Sequence, residues 1–79
     1  MKYRCVCCGY KTLKYSNALE HEICPVCFWE NDPKQNEDPN YLGGPNKVTL
    51  NQARLNFKML GACDFDAKLH VRNPFDDEL

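Results

Sequence analysis

Apolar and polar residues alternate at short range over the first third of the chain. "KYRC" (2–5) and "YKTLKYS" (10–16) carry the alternation and β-forming residues of two short strands. They flank Cys5–Gly9, so the pair is predicted as a hairpin with that turn at its tip. "HEICPVCFWE" (21–30) reads as a third short strand running into a second tight turn. "NDPKQNEDPNYLGGPNK" (31–47) is dense in Pro, Gly, Asn and Asp and is predicted to be irregular. The period then changes. In "VTLNQARLNFKMLGACD" (48–64), Leu50, Ala53, Phe57 and Leu60 recur at helical spacing and form a core-facing stripe. Thr49 with Gln52 fits a capping box, and Gly61 stands where a left-handed residue closes many helices. Arg54 and Lys58 lie one turn apart on another face. "KLHVRNPF" (68–75) is predicted as a last strand ended by Pro74.

These elements define a small α+β domain of zinc-ribbon-like β-hairpins with two Cys-x₂-Cys turns, a long irregular loop and one helix. Its expected parts are a ribbon over 1–29, an acidic Pro/Gly loop over 30–46, the helix over 47–61, and a short strand with an acidic tail over 62–79.

A chain of 79 residues is enough for one domain and short of apolar surface to bury. Ordering costs roughly 1.5 kcal/mol per residue, which nearly cancels what burial returns at this size, so a cross-link, a metal or a partner is expected. Six cysteines are the place to look: Cys5, Cys7, Cys8, Cys24, Cys27 and Cys63. A secreted protein would pair them as disulfides, whereas a cytosolic one would spend them on a metal. "MKYRCVCCGYKTLKY" has no signal-peptide pattern, and no apolar stretch is long enough to cross a membrane. The expectation is a cytoplasmic protein with reduced thiols and no membrane partner.

Cys5 with Cys8, and Cys24 with Cys27, form two Cys-x₂-Cys pairs separated by fifteen residues, which is zinc-ribbon spacing. A divalent ion asks for four thiolates at tetrahedral corners, and two cysteines three apart in a tight turn aim both sulfurs at one point. Gly9 suits the reversal after Cys8, and Pro25 stiffens the second turn. Cys5, Cys8, Cys24 and Cys27 are therefore the predicted ligands of one structural Zn²⁺. Cys7 is expected to point away from the metal as a small half-buried side chain, and Cys63 to behave similarly. A Cys7–Cys63 disulfide has no support in the spacing. His21, three before Cys24, is expected on the surface. "YRCVCCGY" and "CPVC" also look like the iron-binding turns of rubredoxins, since zinc and iron share this geometry. The gap between the pairs is much shorter here, and Phe28 stands where rubredoxins carry glycine, so zinc is favoured.

"CVCCGYKTL", "EICPVCFWENDPKQ", "DPNYLGGPNKVTLNQARLNF", "LGACD" and "VRNPFDDE" together resemble the cysteine-rich CPCC family of small bacterial proteins. The resemblance runs from Tyr3 to Glu78, with the blocks in the family's order. The family's Cys-Pro-Cys-Cys reads Cys5-Val6-Cys7-Cys8 here, which removes a stiffening proline and leaves the cysteines in place. The resemblance implies a zinc-ribbon-like fold and carries no activity. It also implies a link to toxin systems, as an immunity or accessory protein.

Net charge is −1 and the pI about 6.0, which argues against a nucleic-acid partner. Lys47, Arg54 and Lys58, with Lys11 and Lys14, could still track phosphates, making a nucleic-acid-binding ribbon the alternative. Arg54 is otherwise expected to pair with an acid of the loop. No catalytic triad or phosphate loop is visible, and a site with four protein ligands leaves no open position. The expected function is a non-enzymatic protein–protein interaction module, and a rubredoxin-like electron carrier ranks last. Phe28, Trp29 and Tyr41 are the candidate anchors, weighed against the core for Phe28 and loop packing for Tyr41.

Overall fold

Lys11–Leu13 (β2) pairs antiparallel with Tyr3–Arg4 (β1), forming the expected hairpin in shortened form. Its register is irregular. Tyr3 opposes Leu13 and Arg4 opposes Lys11, so Thr12 is an extra residue on β2. Such a bulge bends the strand and re-aims side chains. In a regular strand successive residues face opposite sides; here Thr12 and Leu13 are both buried.

The computed structural model describes residues 1–79 and corrects three sequence expectations. The third strand is reduced to one bridge between Ile23 and Glu30. The side-chain amide of Asn46 does the rest: it donates to Glu30 O at 2.9 Å and accepts from Glu30 N at 2.8 Å. The 30–46 segment, read as wholly irregular, contains a helical turn, Pro33–Glu37 (α1). Asp32 caps it by accepting from Gln35 N at 2.9 Å, and Pro33 at the first position loses no bond that the helix could have used. The expected last strand is absent. Asp66–His70 and Asp76–Glu78 are 3₁₀ turns joined by extended chain.

The long helix, Leu50–Leu60 (α2), starts and stops at its expected caps. Thr49 accepts from Gln52 N at 3.1 Å, and Gly61 takes a left-handed φ of 77°. Only half of the capping box forms, because the Gln52 side chain donates instead to Asn56 Oδ1 at 2.8 Å. Leu50 and Ala53 are buried, with Phe57 and Leu60 half-buried beyond them.

Five of the twelve core side chains are cysteines (Cys5, Cys7, Cys24, Cys27 and Cys63), and only Trp29, Leu13 and Leu50 are large. Cysteine is thus the commonest residue at the centre of the molecule. Buried polar groups supplement it. Gln35, fully enclosed, donates to Tyr41 O and Val48 O and accepts from Asn46 N and Nδ2 at 2.9–3.2 Å. Trp29 is core, its indole N–H donating to Asn36 Oδ1 at 3.0 Å. Tyr41 folds onto its own loop, with the Lys34 ammonium 4.9 Å from its ring centre and Gly43 beneath it.

The acidic C-terminal segment is a strap. The Arg72 amide donates to Pro25 O at 3.2 Å, and its guanidinium makes a two-point contact with buried Glu78 at 2.7 and 2.9 Å. Glu78 also accepts from Phe75 N at 2.8 Å and from Lys2 Nζ at 3.4 Å. The first strand and the last turn are thereby tied together. No helix is long and apolar enough to cross a membrane.

Candidate metal centre

The two Cys-x₂-Cys turns have the same backbone pattern. In the first, Gly9 N donates to Cys5 O at 2.8 Å and Cys5 N to Tyr10 O at 2.9 Å. In the second, Phe28 N donates to Cys24 O at 2.8 Å and Cys24 N to Trp29 O at 3.0 Å. The residue after each second cysteine is left-handed, Gly9 at φ 81° and Phe28 at φ 71°. These are two copies of one knuckle, each presenting two sulfurs.

The knuckles face each other, and the structure brings all four predicted cysteines together. The sulfurs of Cys5, Cys8, Cys24 and Cys27 lie within 4.8 Å of one another. Cys5 Sγ is 3.6 Å from Cys27 Sγ, and Cys8 Sγ is 3.7 Å from Cys24 Sγ. Four thiolates at about 2.3 Å from one tetrahedral ion stand about 3.8 Å apart, so the donor set fits a metal ion. All six cysteines are free thiols. Cys5, Cys24 and Cys27 are buried, and Cys8 is the partly exposed one.

Four thiols this close cannot all ionise independently. Of the four, Cys24 is the one whose pKa is pushed down, by its interactions with Cys27, Cys5 and Cys8 against the opposing effect of burial, with Thr12 adding to the lowering. Cys27, Cys5 and Cys8 are pushed above the ordinary thiol range, chiefly by their interaction with Cys24. A bound divalent cation reverses this by stabilising every thiolate.

The remaining sequence candidates fall outside the cluster. Cys7 is buried in the core rather than half-buried. Cys63 is more deeply buried, its amide donating to Cys27 O at 2.8 Å; burial, then Asp64 and Cys7, raises its thiol to about 12. His21 is on the surface, its Nδ1 3.7 Å from Glu30 and 3.6 Å from Asp32. Phe28 is half-buried, its ring stacked on His70 at 5.0 Å.

Two neighbours of the cluster were not foreseen. Arg54 pairs with no loop acid; its Nε donates to Val6 O at 2.9 Å and fixes the first knuckle to α2. Thr12 Oγ1 lies 3.0 Å from Cys24 Sγ. The helical position of Arg54, facing away from the apolar stripe, hinted at a tertiary role. Nothing in the sequence pattern signalled Thr12, because its orientation depends on the bulge.

Paired knuckles carrying a four-thiol cluster on a small α+β frame define a class of cysteine-rich protein able to hold a metal ion. Within that class, the chain belongs to the cysteine-rich CPCC family, whose sequence model matches residues 3–78. No curated protein matches it.

Proposed function

We propose that this is a small zinc-binding protein in which one Zn²⁺, held by Cys5, Cys8, Cys24 and Cys27, is structural, and whose action is to bind another protein. The observation that supports the reading is the donor set: four sulfurs within 4.8 Å of one another, three of them buried, and a metal with four protein ligands keeps no position for water or substrate. Such sites contribute on the order of 10–16 kcal/mol in short peptides, enough to decide whether a core this small folds. Zinc rather than iron rests on the short interval between the knuckles.

The work then falls to the surface. Met59, Phe65 and Leu69 are largely exposed at and after the end of α2, and they replace the buried Trp29 as anchors for a protein partner. The nucleic-acid alternative loses two of its contacts, since Lys47 is paired with Asp66 at 2.7 Å and Arg54 with Val6 O. Six free thiols are consistent with a reducing cytoplasm. The family's implied link to toxin systems orders the partners to try first.

Elemental analysis with a visible spectrum tests the metal. One zinc per colourless chain supports the reading, and a red iron protein would replace it with electron transfer. A pull-down from the native host, with and without nuclease, tests the action. A protein retained after nuclease supports it; loss of everything retained would favour nucleic acid.

A further inference from the structure

We propose that Thr12 is a positioning residue of the metal centre, its hydroxyl donating to the Cys24 thiolate and making Cys24 the least electron-donating of the four ligands. The inference rests on the metal-binding reading above and adds a residue that the cysteine pattern does not contain.

Two observations carry it. The Thr12 oxygen and the Cys24 sulfur are 3.0 Å apart, both in buried side chains, and the sulfur is the only side-chain partner of that hydroxyl. In addition, the bulge between β1 and β2 is what turns Thr12 inward beside Leu13, where a regular strand would place it on the outer face with Lys11 and Leu13 opposite. The strand departs from its ladder at the residue that reaches the site.

The direction of the bond follows from the chemistry. Between two neutral groups either could donate. A metal-bound Cys24 is a thiolate without a proton, so the threonine must be the donor. The cluster's other short sulfur contacts are between its own cysteines, Cys5 with Cys27 and Cys8 with Cys24. Thr12 is the one hydroxyl that meets a sulfur of the cluster. Hydrogen bonding to one ligand withdraws charge from it and fixes its orientation. The centre is therefore graded, from shielded, hydrogen-bonded Cys24 to partly exposed Cys8.

Cobalt(II) bound to the whole chain gives a readout that simple packing does not move. Its sulfur-to-metal charge-transfer band reports the energy of the thiolate lone pairs. Thr12→Val keeps the bulk and removes the donor, so the band shifts to longer wavelength. Thr12→Ser, which restores a hydroxyl, returns it toward wild type. An unshifted band in Thr12→Val, or a Thr12→Ser band equal to that of Thr12→Val, overturns the proposal. If Thr12→Val does not fold, Thr12→Ala against Thr12→Ser decides on the same criterion. A wild-type protein with no thiolate–cobalt band overturns the metal reading and this inference with it.

Discussion

Phe28 occupies the position in the second knuckle that Gly9 occupies in the first, with φ angles of 71° and 81°. For an L-residue the left-handed region costs roughly 1–2 kcal/mol, and for glycine almost nothing. The protein accepts that cost at Phe28, where the ring stacks on His70 and covers the edge of the core.

This relationship sets the order of three variants. Gly9→Ala meets no atom within 4 Å, so its cost is purely conformational, about 1 kcal/mol. Phe28→Ala keeps the strain and loses the ring, whereas Phe28→Gly loses both. Phe28→Gly is therefore expected to be the more stable of the two by about 1 kcal/mol. Chemical denaturation of the metal-loaded proteins checks the order, and an alanine variant equal to or better than the glycine variant would contradict it.

The cysteines separate by role. Cys24→Ser breaks the tetrahedron, so the chain loses its metal and unfolds, while Cys7→Ser retains metal and fold. Metal content after gel filtration, with circular dichroism, tells them apart. Equal behaviour of the two would sink the ligand assignment. Metal binding also releases protons, because each thiol that ligates must lose its own, and a pH-indicator titration with zinc detects them.

Glu78 links the strap to acid stability. Arg72, the Phe75 amide and Lys2 hold its carboxyl down to about 2, from an ordinary 4.5. A depressed carboxylate contributes stability that is present in full above its unfolded pKa and lost as pH falls through the folded one. Wild type should therefore exceed Glu78→Gln in stability above about pH 4.5, and the gap should close toward pH 2. Acid also strips metal from both proteins, so the gap is followed downward in pH by denaturant titration only as far as both remain folded. A gap independent of pH would falsify this account.

The two glycines of "GG" should not be equivalent. A Cβ on Gly44 would stand 2.5–2.6 Å from the Gln35 side chain, which four hydrogen bonds hold in place. One on Gly43 would meet the Tyr41 ring, whose residue is only half-buried and can move. Gly44→Ala is expected to cost about 1–3 kcal/mol, as overpacking does, and Gly43→Ala less. Thermal unfolding of both decides it; the reverse order would count against the Gln35 network as a rigid element.

The cysteine cluster was legible in the sequence because its spacing is so restrictive: four-residue Cys-x₂-Cys knuckles have few ways to present two sulfurs. The caps of α2 were legible for a similar reason, being local chemistry. α1 was missed although its signal was present, since Asp32-Pro33 is a helix start as well as a turn pair. "KLHVRNPF" has strand-forming residues, yet it pairs with neither strand of the hairpin, and the Arg72–Glu78 contact sets its path instead. Arg54 and Thr12 depend on partners 48 and 12 positions away, which no local pattern encodes.

The strap has a mechanical consequence. Lys2 and Glu78 hold the first strand beside the last turn, and Arg4 Nη1 reaches Leu79 O at 3.4 Å. A molecule stretched by its two ends would be loaded first across these ion pairs, which open one after another like a zip. The thiol cluster sits behind them and would feel the load only after residues 71–79 have peeled away. A single-molecule pulling trace should accordingly show a weak early yield and then a stiffer one, the second disappearing when a chelator strips the metal.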